Sequence, residues 1–187
     1  MDQRGLVERA RQGDHDAFAS LIDVHLARLD AAARLILRDP ELARDAVQET
    51  LIRAWHDLPG LRDPDRFDAW LHRLTVNACL DLVRRRKRRV IEVELTPLDS
   101  PATSDLAGAL ADRQLLDHAL SRLDPGHRAV VALHYLLGVP LPEVARTLGI
   151  PLGTAKSLLH YALAAMRTSV TAEPEPVPAI VSGGQLA

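Results

Sequence analysis

The 187-residue chain carries 23 basic and 25 acidic side chains for a formal net charge of −2, and it is 47% hydrophobic, only 3% aromatic and has a single cysteine. One cysteine excludes an intrachain disulfide, no Cys/His cluster has metal-ligand spacing, and no apolar run approaches a membrane span. The small net charge hides a segregation: residues 1–89 hold 17 basic and 15 acidic side chains, residues 90–111 none and four, and residues 112–169 six and four. Two weakly basic blocks joined by an acidic connector suit a nucleic-acid partner. The N-terminus, MDQRGLVERARQGDHDAF, has no apolar core of signal-peptide length, so a soluble, unprocessed, cytoplasmic protein without direct membrane insertion is expected.

Strand-like alternation is scarce, whereas Leu, Ala and Arg recur at helical spacing almost throughout. The pattern predicts an all-α chain of two small helical domains joined by a flexible linker, the second containing a helix-turn-helix. A short helix over 6–12 is interrupted by Gly13, and a longer one follows over 16–37. Asp39-Pro40 supplies an N-cap and a first-turn proline for a helix over 40–58, which Pro59-Gly60 ends. Its apolar stripe is Ala43, Val47, Thr50, Leu51, Ala54 and Leu58. The opposite face presents Asp45, Gln48, Glu49, Ile52, Arg53 and His56, which reads either as a protein-binding surface or as a plain solvated one.

After the loop GLRDPDR comes a helix over 67–89. Its predicted core stripe is Phe67, Trp70, Leu71, Leu74, Ala78 and Leu82. Rotated from it, Asn77, Asp81, Arg84 and Arg88 line up at spacings of four, three and four, beside Arg85. Guanidinium groups attract phosphates, and an Asn can make paired hydrogen bonds to a base edge. The alternative is a charged helix end favoured by the C-terminal dipole, although six successive cations from Arg84 to Arg89 exceed what capping needs.

Residues 90–104, with two prolines and no helical period, form the predicted linker. Helical spacing returns over 105–123, and Asp124-Pro125 starts a further helix to about 137. The stretch PEVARTLGIPLGTAKSLLH, 142–160, then has helix-turn-helix spacing. Ala145 is small where two helices touch, Gly149 tolerates positive φ in the turn, and Val144, Leu148, Ile150, Ala155 and Leu158 seal the corner. Thr154, Lys156, Ser157, His160 and Tyr161 are left for phosphates and base edges in a major groove, the alternative being an ordinary helical hairpin. The last residues, 170–187, are predicted to be a disordered tail. The expected units are therefore 1–89, 90–104, 105–169 and 170–187.

The eight histidines include no HxxxH or HExxH pair, so no metal site and no cofactor are expected. Cys79 reads as a small packed side chain. No nucleophile, base and oxyanion set can be assembled, which argues against an enzyme.

The segment DAVQETLIRAWHDLPGLRDPDRFDAWLHRLTVNACLDLVRRRKRR, followed after the linker by LSRLDPGHRAVVALHYLLGVPLPEVARTLGIPLGTAKSLLHYALAAMR, resembles an extracytoplasmic-function (ECF) sigma factor of the sigma-70 superfamily. The likeness covers about residues 5–168. It implies a sigma-two and a sigma-four domain that bind core RNA polymerase, at its clamp and flap, and recognise promoter DNA. It carries clamp binding onto Asp45, Gln48, Glu49 and Arg53. Opening of the −10 element falls to Asn77, Asp81, Arg84, Arg85 and Arg88, with loop residues 62–66 as weaker candidates. Reading of the −35 element falls to Thr154, Lys156, Ser157 and His160, with Arg128 expected near phosphates or the flap. An anti-sigma factor is a further implied partner.

The chain departs from the family where an Arg is common, at Leu158 and at Ala164, so upstream phosphate attraction rests on fewer cations. Trp55 and Trp70 fall on or near apolar stripes and are expected in the core. The runner-up reading is a stand-alone helix-turn-helix regulator that binds a palindromic duplex without polymerase.

Overall fold

A computed structural model describes residues 2–92 and 109–171, and among these every regular element is helical. The helices are α1 (Gln3–Arg11), α2 (His15–Leu37), α3 (Pro40–Asp57), α4 (Phe67–Glu92), α5 (Ala109–Ser121), α6 (Pro125–Val131), α7 (Leu141–Leu148) and α8 (Leu152–Thr171). The predicted linker beyond Glu92 and the predicted tail beyond Thr171 lie outside the described residues.

Aspartates begin several of these segments by satisfying the free N–H groups of a first turn. Asp14 accepts from the N–H of Ala17 at the start of α2, and this bond, with the Arg9 guanidinium behind it, holds its carboxyl below the usual range. Asp39 accepts from the N–H groups of Glu41 and Leu42, and Asp124 from that of His127. In both α3 and α6 a proline follows, where no N–H is needed. α2 ends on Arg38 with φ of 54°, a left-handed residue whose N–H returns to the Arg34 carbonyl.

Helices α1 to α4 close over Leu29, Ile36, Phe67, Leu71 and Val76, all with no exposed surface. The buried face of α4 is rotated from the predicted stripe. Phe67, Leu71 and Ala78 are buried as expected, but Thr75, Val76 and Cys79 complete the face, while Trp70, Leu74 and Leu82 are only half-buried. Burial pushes the Cys79 thiol up to about 12, consistent with its reading as a packed side chain. The helix predicted to reach 137 changes form on the way: α6 passes into a π turn over Ala132–Leu136, and His134 Nδ1 lies 3.0 Å from the Val139 carbonyl oxygen.

The two helical domains pack against each other. Val130, Ala132, Leu133, Leu137 and Val144 from the second half belong to the same apolar cluster as Ile36 and Leu71 from the first. Leu35, at the end of α2, also packs against Leu120, Leu123, Val131 and Ala162.

Arg128 corrects an expectation. It does not reach outward for phosphates or a protein flap but is buried, donating through Nε to the Ile36 carbonyl at 2.8 Å and through Nη1 to the carbonyls of Leu123 and Leu120. The last carbonyls of a helix have no partner within it. A guanidinium with five donors can serve several such groups at once.

Candidate nucleic-acid and protein interfaces

The helix-turn-helix corner forms as its spacing requires. Gly149 turns α7 into α8 with φ of 67°, a conformation L side chains rarely adopt. Val144, Ala145 and Ala155 are buried at the crossing, with Leu148, Ile150 and Leu158 half-buried around it. Thr154, Lys156, Ser157, His160 and Tyr161 are all exposed on α8. The Ser157 hydroxyl donates to the Gly153 carbonyl, and the Tyr161 ring lies against His127, 4.8 Å between centroids. Leu158 packs on the core cluster, so an arginine there would have to leave the corner, whereas Ala164 faces solvent.

On α4, Asn77 and Asp81 are half-buried, and Arg84, Arg85 and Arg88 are exposed. Asp81 accepts from Arg84 Nη2 at 2.7 Å, so the stripe begins with a neutralised pair. Arg86 lies 3.6 Å from Asp39, leaving Arg85 and Arg88 without an ion pair among the described residues. One member of this face is missed by the sequence reading. Arg73 is exposed one turn before Asn77, and 73, 77 and 81 share the i, i+4 register.

That stripe leads into an open cleft of about 220 Å³. Arg66, Trp70 and Arg73 line one wall, and Glu143, Arg146 and Thr147 of α7 line the other. Of the predicted loop 62–66, Asp63 and Pro64 start a 3₁₀ turn and Arg66 is held loosely, 3.6 Å from Asp63. Trp70 thus borders open space, unlike Trp55, which stacks on His15 with ring centroids 4.3 Å apart.

On α3, Asp45 and Gln48 are exposed, Glu49 and Arg53 half-buried, and Ile52 is 58% exposed. The predicted face is therefore one contiguous surface with an apolar centre. Arg53 Nε donates to Glu49 at 2.7 Å, and its Nη1 lies 3.6 Å from Asp81 on α4.

One buried polar group has no role in these surfaces. His72 of α4 is buried, its Nε2 has no hydrogen-bond partner, and desolvation lowers its pKa, with Asp68 opposing and His25 and Arg28 adding to the shift. Among the described residues, no three His, Cys, Asp or Glu side chains are grouped to hold a metal, and no helix is long and apolar enough to cross a membrane.

Residues 21–89 match the family described as Sigma-70 region 2, and residues 113–166 that described as Sigma-70, region 4. The chain is 36% identical over 154 residues to the ECF RNA polymerase sigma factor SigL of Mycobacterium tuberculosis, covering 81% of this chain and 87% of that protein. It is 32% identical over 184 residues to the RNA polymerase sigma factor CnrH of Cupriavidus metallidurans, covering 92% and 96%. Among solved structures, CnrH in complex with the cytosolic domain of CnrY superposes with a TM-score of 0.66 at 31% identity, over 92% of this chain and 99% of that one. The sigma factor RpoE of Bartonella quintana, in complex with the anti-sigma factor NepR, has the same fold, with a TM-score of 0.73 at 24% identity over 84% and 98%.

Proposed function

This chain belongs to the ECF group of sigma-70 RNA polymerase sigma factors, and on that premise we propose how its surfaces divide the work of starting transcription. It is an initiation factor that acts with core RNA polymerase at promoters. In our reading the 1–89 unit docks on polymerase and opens the −10 element, and the 105–169 unit reads the −35 element.

The polymerase contact falls on Asp45, Gln48, Glu49 and Arg53, around exposed Ile52. A surface with an apolar centre and a rim of both charge signs suits a protein partner. Asn77 is the base-reading residue of the −10 surface, with Asp81, Arg84, Arg85 and Arg88 along the strand. Extruding a base costs a few kcal/mol, which contacts to the single strand must offset. Thr154, Lys156, Ser157 and His160 meet the −35 duplex. The bond-making chemistry belongs to the polymerase, the protein works in the cytoplasm, and an anti-sigma factor is a further partner, as NepR is for the sigma factor RpoE.

The single observation that carries this division is the placement of all three polar sets on the outward sides of helices whose other sides are buried. Run-off transcription from a pool of genomic promoter fragments, with purified core polymerase and with or without the protein, tests it. Transcripts that require the protein and share two spaced upstream elements support the reading. Duplex binding by the protein alone, with no new transcript, favours a stand-alone helix-turn-helix regulator.

A further inference from the structure

We infer that the cleft between α4 and α7 binds a small nucleotide, its terminal phosphate held by arginines of both walls and its base laid against Trp70. The inference does not rest on the promoter contacts assigned above, since Asn77, Asp81 and Arg84 do not line the cleft.

Charge is the first argument. Arg66 and Arg73 stand on one wall and Arg146 on the other, and Glu143 supplies the single carboxylate, so three positive groups against one negative leave the lining a net charge of +2. Arg66 lies 3.6 Å from Asp63 and Arg146 3.9 Å from Glu143, both beyond hydrogen-bond length. The Arg73 side chain has no ion pair among the described residues. The guanidinium donors are therefore available to a ligand, and their paired N–H groups match phosphate oxygens. A terminal phosphate carries about −1.5 to −2 at neutral pH, which answers this charge better than the single charge of a phosphodiester.

The rest of the lining selects a nucleotide among phosphates. Trp70 is half-buried, rests on Phe67 with ring centroids 5.8 Å apart, and lines the cleft beside Leu61. Phe67 has no exposed surface, so the indole is braced from within. An indole held in this way is a platform on which any base can stack. The Thr147 hydroxyl on the facing wall is a further polar group for a sugar or phosphate oxygen. Apolar surface with a few convergent polar groups is the common make-up of a small-ligand site.

The two walls belong to different domains, and the contact between the domains sets their separation. Arg38 Nη1 donates to the Asp117 carbonyl at 2.7 Å and to its carboxylate at 3.1 Å, and Arg128 Nε to the Ile36 carbonyl. A site arranged before the ligand arrives costs less to fill. The cleft is open and holds about 220 Å³, so part of the ligand stays in solvent and weak binding is expected.

The test uses the full chain with Trp55→Phe, which leaves Trp70 as the one indole, and ADP without magnesium as the probe. ADP should quench Trp70 fluorescence saturably. Adenosine and pyrophosphate, each lacking part of the recognised chemistry, should bind at least about fivefold more weakly. Equilibrium dialysis of ADP against the parent chain should give the same constant without the substitution. Arg73→Ala and Arg146→Ala should each weaken ADP at least about fivefold. Glu143→Gln, which removes the opposing carboxylate and frees Arg146, should tighten it. Arg122→Ala, an exposed arginine outside the cleft, controls for charge alone and should leave it unchanged. A short oligothymidylate separates a free nucleotide from a DNA strand, because its affinity should not depend on Arg146. No saturable ADP binding, pyrophosphate as tight as ADP, or indifference to Arg73→Ala or Arg146→Ala would each overturn the proposal. So would an equal loss in Arg122→Ala, or an oligothymidylate as dependent on Arg146 as ADP.

Discussion

Arg53 Nη1 of α3 lies 3.6 Å from Asp81 Oδ2 of α4, so the helix assigned to polymerase and the helix assigned to DNA share a carboxylate. Asp81 also accepts from Arg84 at 2.7 Å. Partly exposed pairs of this kind contribute about 0.2–1 kcal/mol each, too little to make them a prop of the fold. Asp81→Asn should therefore lower the urea midpoint only slightly while freeing Arg84 and leaving Arg53 held by Glu49 alone. Combined with Arg53→Ala in a double-mutant cycle on open-complex formation, it should give a non-additive result. Strict additivity would make the link incidental.

Asn77→Ala should reduce promoter opening and relax the preference for one base, by about 1–3 kcal/mol for a lost base contact. Asn77 is half-buried at the edge of the core, so the thermal midpoint serves as the control. An opening rate equal to that of the parent, measured by permanganate reactivity of the melted strand, would remove this residue from the site.

Leu71 has no exposed surface, whereas Leu74 is half-buried. Truncating a buried leucine costs about 2–5 kcal/mol through lost transfer energy and an unfilled cavity. Leu71→Ala should approach that range in equilibrium denaturation, and Leu74→Ala should cost clearly less. The reverse order would mean that the buried face of α4 is the stripe predicted from periodicity.

The buried His72 should make stability depend on pH. Desolvation lowers its folded-state pKa below the ordinary 6.5, so the unfolded chain takes up the proton first. Its contribution is fully present above pH 6.5 and is lost as pH falls from there towards the depressed folded value. His72→Phe removes the unpaired Nε2 as well as the titration. The variant should therefore lose less stability than the parent between pH 7.5 and 5.5, measured as the shift in urea midpoint. Equal shifts would show that other groups carry the dependence.

Ala164 is exposed on α8, in line with the residues assigned to the −35 duplex. Ala164→Arg should tighten binding to upstream duplex and steepen the dependence of log K on log salt by about one. Leu158→Arg should instead destabilise the corner, because Leu158 packs on the core. A salt slope unchanged by Ala164→Arg would place that position away from the phosphates.

What could be read in advance follows the range of the forces involved. Asp39-Pro40 and Asp124-Pro125 announce their helices because an N-cap and a first-turn proline act within four residues. Gly149 marks its turn through a property of its own backbone. The outward positions on α8 follow from the helical period once the corner is fixed. The buried face of α4 was harder, since Leu, Val and Trp occur on several of its sides and only the neighbouring helices select Leu71, Thr75 and Val76. Arg128 was misread because an arginine defaults to the surface. The carbonyls that draw it inward belong to residues 36, 120 and 123, and their convergence is a property of packing alone. The cleft is likewise invisible before folding, as its walls come from residues some 70 positions apart in the chain.

Arg38 occupies a left-handed position where glycine is the default, and a side chain there costs about 1–2 kcal/mol of backbone strain. Glycine at 38 would thus leave the first unit at least as stable and delete its grip on Asp117. A single substitution there would separate the stability of the first unit from the strength of its contact with the second.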